Sequence, residues 1–267
     1  MSDLLGKLSV VVPARDEEGC VESTIRDLVR ILRSQGISFE VVVVDDGSQD
    51  QTPAIVRQLS GEIPEVRLVK NKFHGFGRAV ACGLRAVNGE AVAVMMADAS
   101  DSPDDLVRCY RKLQEGFDCV FGSRFIKGST VIGYPPHKLL LNRLANLFIK
   151  VLFHVPFNDF TNAFKLYRKH VVDGIEPLIS PHFNLTVEMP LKAIVRGYSF
   201  GVVPITWTNR KAGVSKLKIK EMGSRYLFIV LYIWLEKHLS RGDYRRSIKR
   251  VPAPLDSAEQ PAYSGES

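Results

Sequence analysis

Hydrophobic residues in the first half of the chain come in short, largely β-branched runs, each followed by a stretch with helical spacing. The runs are LSVVVP from Leu8, EVVVVD from Glu40, VRLVK from Val66, AVAVMMAD from Ala91 and DCVFGS from Asp118. Helical spacing falls over Val21 to Ser34, after Ser48, and over Gly77 to Val87. Strand, helix, strand, helix requires crossover connections, so the pattern predicts an α/β fold with a doubly wound, mostly parallel sheet. Near-continuous apolar runs are what strands covered on both faces look like. Ligands of such sheets bind beyond the carboxyl ends of the strands. The segments to watch are therefore PARDEE, DDGS, NKFHGFGRA and DASD.

The second half is dominated by longer helices. In HKLLLNRLANLFIKVLF, from His137, the residues Asn142, Arg143, Asn146 and Lys150 share an arc of about 100°, so the rest of the helix is buried or faces a membrane. A helix over Phe183 to Arg196, a strand GVVPITW from Gly201 and a long helix from Leu217 to Leu239 follow. In the last helix Lys218, Glu221, Arg225, Tyr232 and Glu236 form one stripe, with Leu227, Phe228, Val230, Leu231 and Trp234 largely away from it. With the basic RGDYRRSIKR behind it, this reads as an amphipathic helix lying in the interface of an anionic leaflet. The alternative is packing on the core or on a second copy, as in a homo-oligomer.

The longest unbroken apolar run, Tyr226 to Leu235, is far below the roughly 20 residues a spanning helix needs. MSDLLGKLSVVVP lacks the basic start and long apolar segment of a signal peptide. The expectation is a cytoplasmic protein, peripheral at the cytoplasmic face of a membrane, without a transmembrane span. Beyond Tyr244 the chain turns basic and then Pro/Ser-rich, which predicts disorder. The expected division is an α/β domain over 1–212, the amphipathic helix over 213–243 and a tail over 244–267.

At 267 residues and 45% hydrophobic content the chain can fill a full core, and its formal charge of +7 favours anionic partners such as nucleotides, phosphates or acidic lipid. Cys20, Cys82, Cys109 and Cys119 show no C-x-x-C spacing, so reduced thiols are expected, with neither a disulfide framework nor a zinc site. The basic residues are not interleaved with aromatics on a sheet, which argues against nucleic acid.

The candidate chemistry gathers at the strand ends. Asp45 and Asp46 close the second run, and PARDEE adds Arg15, Asp16, Glu17 and Glu18 at the same edge. In MMADASDSPDDL, Ser102, Pro103, Asp104 and Asp105 have the make-up of a helix start. Asp98 and Asp101 precede it and could hold Mg²⁺ or Mn²⁺ together with diphosphate oxygens. NKFHGFGRA has a G-x-G but no third glycine and follows the third run, which excludes a dinucleotide fingerprint. Asn71, Lys72, Gly75, Gly77 and Arg78 instead read as a backbone-accessible basic helix start suited to phosphate or sugar. Arg124, Arg143, Lys165, Arg168, Arg210 and Lys216 punctuate apolar segments further on, and arginine's planar fork suits a second anionic group.

Taken in order, P-A-R-D-E-E, D-D-G-S, N-K-x-x-G-x-G-R-A, D-A-S-D, G-S-R-F, N-R-L-A-N, D-F-T-N-A-F-K and N-R-K-A-G-V-S-K resemble the family 2 glycosyltransferases of GT-A fold. The likeness is strongest to their dolichyl- or polyprenyl-phosphate mannosyl- and glucosyltransferase branch, and it runs from about Leu8 to Leu217. The resemblance implies that Pro13, Ala14, Arg15, Glu17 and Asp46 hold the nucleoside, and that Lys72 and Arg78 lie in the segment lining the base and ribose pocket. Asp98 matches the first acid of the family's D-x-D, which binds metal and donor diphosphate. Ser100 stands where the second acid is usual, so either Asp101 substitutes after a local shift or Asp98 serves with water and diphosphate oxygens.

Arg124, Arg143, Arg210 and Lys216 match basic positions that neutralise donor and acceptor phosphates. The implied activity is an inverting transfer of a hexosyl group from a GDP- or UDP-sugar to a polyprenyl phosphate, with Arg124 and Arg143 orienting the acceptor and Arg210 or Lys216 stabilising the departing diphosphate. A hydroxyl acceptor would need a general base, for which Asp159 is the candidate. A binder of nucleotide sugars that has lost catalysis is the reading from a different class.

Overall fold

The computed structural model describes residues 6–209 and 219–244. Its centre is a seven-stranded sheet in the order β3-β2-β1-β4-β7-β5-β8. The strands are β1 (Leu8–Ala14), β2 (Phe39–Asp45), β3 (Val66–Lys70), β4 (Ala91–Val94), β5 (Cys119–Ser123), β7 (Lys165–Arg168) and β8 (Phe200–Pro204). All pairs are parallel except those of β7, which runs antiparallel to both β4 and β5. The run KLYR was not expected as a strand: it has only four residues, and the partners that define it lie far away in the sequence.

The expected strand GVVPITW divides in two. Pro204 ends β8, and the chain leaves the main sheet so that β9 (Thr206–Thr208) pairs with β6 (Thr130–Ile132) in a separate two-stranded sheet. A proline has no N–H to continue a ladder, so it suits the end of an edge strand.

Alternate residues of β1 and β2 feed two cores. Val10, Val12, Val41 and Val43 meet α1 (Val21–Ser34), α2 (Thr52–Glu62) and α4 (Pro103–Gln114), whereas Val11, Val42 and Val44 meet α3 (Phe76–Ala86) and α7 (Leu185–Val195). The second core also takes in Ile149 and Phe153 of α5 (Pro136–Phe153) and Ile229, Val230 and Ile233 of α8 (Ile219–Leu239). A short α6 (Lys169–Gly174) follows β7. Helices therefore cover both faces, as the apolar strands require. Cys20, Cys109 and Cys119 are buried and all four cysteines are free thiols.

The two helices expected to meet a membrane are turned in an unusual way. In α5 the polar positions Asn142 and Asn146 point towards the protein, Asn146 being fully buried, while Leu140, Leu141, Leu144, Leu147, Phe148 and Val151 are exposed. At 100° per residue these six span about 120° of the helix surface. In α8, Val230 is buried rather than outward, and Glu236 is drawn inward to Arg196 at 3.0 Å. Among its described residues the exposed large apolar side chains are Leu227, Phe228, Leu231, Tyr232, Leu235 and Leu239. The polar stripe expected to face water is thus partly spent on internal pairing, and the outer face is more apolar than the sequence pattern implied. Lys218 lies outside the described residues. None of the described helices is long and apolar enough to cross a membrane.

Candidate active site

The ends of β3, β2, β1 and β4 lie side by side along one edge of the sheet, about 4.8 Å apart from strand to strand. Pro13 and Ala14 finish β1 in register with Val44 and Asp45. The turn after β1 is laced to the turn after β2: Asp16 N–H donates to Ser48 Oγ at 3.1 Å, Gln49 N–H to Asp16 Oδ1 at 2.7 Å and Gln51 N–H to Glu18 Oε2 at 3.0 Å. Asp16 and Glu18 therefore shape the rim, beside the exposed Arg15 and half-buried Glu17.

Asp46 stitches β2 to the next loop. Its carboxylate accepts from Asn71 Nδ2 at 2.8 Å and from Gly75 N–H at 3.0 Å. Gly75 (φ 132°) leaves no room for a side chain, since a Cβ there would lie 2.4 Å from Pro181 O. This alters the reading of NKFHGFGRA. The second and third amides of α3, on Gly77 and Arg78, donate to Pro181 O at 3.1 and 3.4 Å, so much of the helix start is taken up by the chain itself and is not an open phosphate cradle. The glycines are there because the 180–182 segment passes close over them. Lys72 and Arg78 instead line an open groove of about 440 Å³, with Lys70 and Arg85, between α3 and Leu178–Pro181.

At the end of β4, Asp98 is buried, and its Oδ1 accepts Ser100 N–H at 3.1 Å. Ala99 adopts φ 58°, a left-handed turn that redirects the chain. Ser100 is buried, and its carbonyl accepts Thr208 N–H at 3.1 Å from β9. Asp101 follows, with Oδ2 accepting Met96 N–H at 2.9 Å. Burial pushes the Asp101 carboxyl up to about 7, with the Asp98 charge adding to the rise and the Met96 amide and Arg124 opposing it.

A buried carboxyl beside a second acid is a group whose charged form a divalent cation would stabilise. Asp98 and the remaining oxygen of Asp101 fit a hard cation that takes its other oxygens from diphosphate and water. No group of three or more His, Cys, Asp or Glu gathers among the described residues, so the protein alone does not form a closed cage. Asp105, by contrast, accepts Thr206 N–H at 2.6 Å and pairs with Arg108, which makes it part of the scaffold.

Asp159 differs from its expected use as a base. It is fully buried, and its two oxygens accept three bonds from Arg124: the backbone N–H at 2.9 Å, Nε at 2.9 Å and Nη2 at 2.7 Å. An acid so enclosed and saturated cannot reach an acceptor hydroxyl, so the general-base assignment falls. Burial opposes the charge on Arg124 and the Asp159 carboxylate more than offsets it, so its pKa is raised. The guanidinium groups of Arg124 and Arg143 lie 5.2 and 5.6 Å from the Phe125 ring, which brings the two expected phosphate-binding arginines to one place. Arg143 is exposed on α5. Arg210 and Lys216 lie outside the described residues.

Sequence reasoning assigned no role to Asn142, Asn146 or Thr161, which bond one another behind Arg124. Their signal was the i, i+4 pair of asparagines inside an otherwise apolar helix.

A mostly parallel sheet with one reversed strand, and acids gathered beyond the carboxyl ends of its strands, is the architecture of the GT-A fold. The model of glycosyl transferase family 2 matches residues 9–175, and the chain belongs to that family and is a glycosyltransferase. It is 34% identical over 186 residues to a polyprenol monophosphomannose synthase from Mycolicibacterium smegmatis, covering 66% of this chain and 69% of that protein. It is 31% identical over 218 residues to a dolichol-phosphate mannosyltransferase from Pyrococcus furiosus, covering 80% of this chain but 60% of that enzyme. The fold is also that of glucosyl-3-phosphoglycerate synthase from Mycobacterium tuberculosis, solved with Mn²⁺, uridine diphosphate and glucosyl-3-phosphoglycerate. The TM-score is 0.66 at 19% identity, covering 87% of this chain and 80% of that one.

Proposed function

We propose that the protein transfers a hexosyl group, with inversion, from a nucleotide sugar to a polyprenyl phosphate at a membrane surface. The observation that carries this reading is the orientation of α5. Asn142 and Asn146 of its polar stripe are turned inward to the Arg124 cluster, its apolar face is exposed, and the exposed Arg143 sits beside that face. An acceptor with an anionic head and an apolar tail matches both features, and a phosphate needs no general base because it is already ionised near neutral pH. The names of the Mycolicibacterium and Pyrococcus relatives support the same acceptor class and point to mannose as the sugar to test first.

In the reaction an acceptor phosphate oxygen forms the new bond to the sugar's C1 as the C1–O bond to the donor diphosphate breaks, in a single displacement. Pro13, Ala14, Arg15, Glu17 and Asp46 form the nucleoside side of the site, with Lys72 and Arg78 further out. Arg143, and the Nη1 edge of Arg124 that Asp159 and Thr161 leave over, orient the acceptor phosphate, which supplies rate by proximity. Asp98 and Asp101 are the residues to hold Mg²⁺ or Mn²⁺, and such a cation supplies charge stabilisation to the leaving diphosphate. Arg210 and Lys216 are assigned to that diphosphate as well.

The test is incubation with GDP- and UDP-hexoses and short polyprenyl phosphates in Mg²⁺ or Mn²⁺. Labelled sugar should appear in the organic phase as a prenyl-phosphate sugar. Transfer only to a hydroxyl acceptor would overturn the reading.

A further inference from the structure

The exposed apolar helix carries on its inner side a hydrogen-bonded connection that ends at the buried arginine. Asn146 is 1% exposed. Its Oδ1 accepts Phe160 N–H at 2.6 Å and lies 3.4 Å from Thr161 N, and its Nδ2 is within bonding distance of Thr161 Oγ1 (3.1 Å) and Asn142 Oδ1 (2.7 Å). Thr161 Oγ1 donates to Asn142 Oδ1 at 3.1 Å and accepts from Arg124 Nη2 at 3.2 Å. Asn142 Nδ2 reaches Tyr134 Oη at 3.3 Å, and the Tyr134 ring lies 5.9 Å from the Arg124 guanidinium.

From the other side Lys165 Nζ donates to the carbonyls of Phe160 and Asn162. The 159–162 turn, which carries Asp159, is therefore held between a helix that faces outward and a strand of the central sheet. A buried turn fixed by side chains in this way is costly to leave unpaired.

We infer that Asn146, with Asn142 and Thr161, is a positioning device that ties α5 to the Arg124–Asp159 pair and so sets the affinity for the acceptor. None of these bonds reaches Asp46, Asp98 or Asp101, and the device meets the donor side only through the charge of Arg124 near Asp101. Loss of the connection should therefore act mainly on acceptor binding. Because the apolar face and the connection belong to one helix, the acceptor arginine is referenced to whatever surface α5 rests on. The inference rests on the reading of Arg124 as an acceptor-phosphate cation given above.

The experiment compares the intact chain with Asn146→Leu, Thr161→Val, Thr161→Ser and, as a control on the exposed side of α5, Ala145→Ser. Asn146→Leu and Thr161→Val should raise the acceptor KM by about tenfold while the donor KM changes less than about twofold. Thr161→Ser, which keeps the hydroxyl, should return most of the acceptor affinity. Deuterium exchange of the 158–164 peptide should quicken in Asn146→Leu and not in Ala145→Ser.

Equal rises in both KM values, or a serine variant as poor as the valine one, would reduce the network to general packing and overturn the inference. Unchanged exchange in Asn146→Leu would overturn it as well. If the intact enzyme transfers sugar to no polyprenyl phosphate, the reading of Arg124 fails, and the exchange result still decides whether Asn146 holds the turn.

Discussion

Single residues in this protein take their meaning from the partner that burial assigns them. Asp98 and Asp101 are buried neighbours on one turn, and burial together with the nearby Asp98 charge pushes the Asp101 carboxyl up to about 7. Replacing Asp98 by Asn should lower metal-dependent turnover by about 100-fold or more, since the charge proposed to hold the cation is lost; initial rates across Mg²⁺ and Mn²⁺ concentrations check this.

Lys165 gives a prediction in pH. Burial lowers its pKa to about 7, Asp159 opposes that fall and Arg124 adds to it. In the unfolded chain the amine titrates near 10.5, so between about pH 7 and 10 the unfolded state binds the extra proton and stability rises with pH. The melting temperature of the native protein relative to Lys165→Met should therefore climb from pH 7 to 9, and a flat difference would contradict it. The acids at the strand ends were legible in the sequence because they follow apolar runs. The partner of Asp159 was not legible, since Arg124 lies 35 positions earlier.

At the scale of elements, β5, α5 and the 159–162 turn form one unit around a buried ion pair. Removing one partner of such a pair leaves an uncompensated charge at a cost of about 3–5 kcal/mol. Asp159→Asn should thus lower the unfolding free energy by roughly that amount, as denaturant titration would show. It should also weaken acceptor binding through Arg124. The elements themselves were largely visible in hydrophobic period, with α1 at its predicted bounds, α3 displaced by one residue and α8 ending at Leu239 as expected, its expected start lying outside the described residues. β6 and α6 went unmarked in that period, and so did β7. Its four residues pair with β4 and β5, and only the closed sheet shows that a reversed strand fills the gap between them.

At the scale of the molecule, an open sheet edge for a nucleotide sugar lies on a body that exposes two apolar helix faces. If those faces rest on lipid, Leu144→Ser, Phe148→Ser, Leu227→Ser and Leu231→Ser together should weaken binding to anionic liposomes by about 100-fold or more. Melting should barely change, because exposed side chains away from caps and pairs contribute within about 0.5 kcal/mol each. Flotation measures the first and calorimetry the second; tight binding by the quadruple variant would sink the membrane assignment.

The amino-acid sequence by itself determined the alternation of strands and helices, the edge on which the acids stand, and the family, because period and order are local properties. The tertiary structure decided which carboxylates remain available, that the α3 amides are used by Pro181, and which way α5 and α8 turn. Those outcomes depend on long-range partners, whose burial and hydrogen bonds set the energy of each polar group.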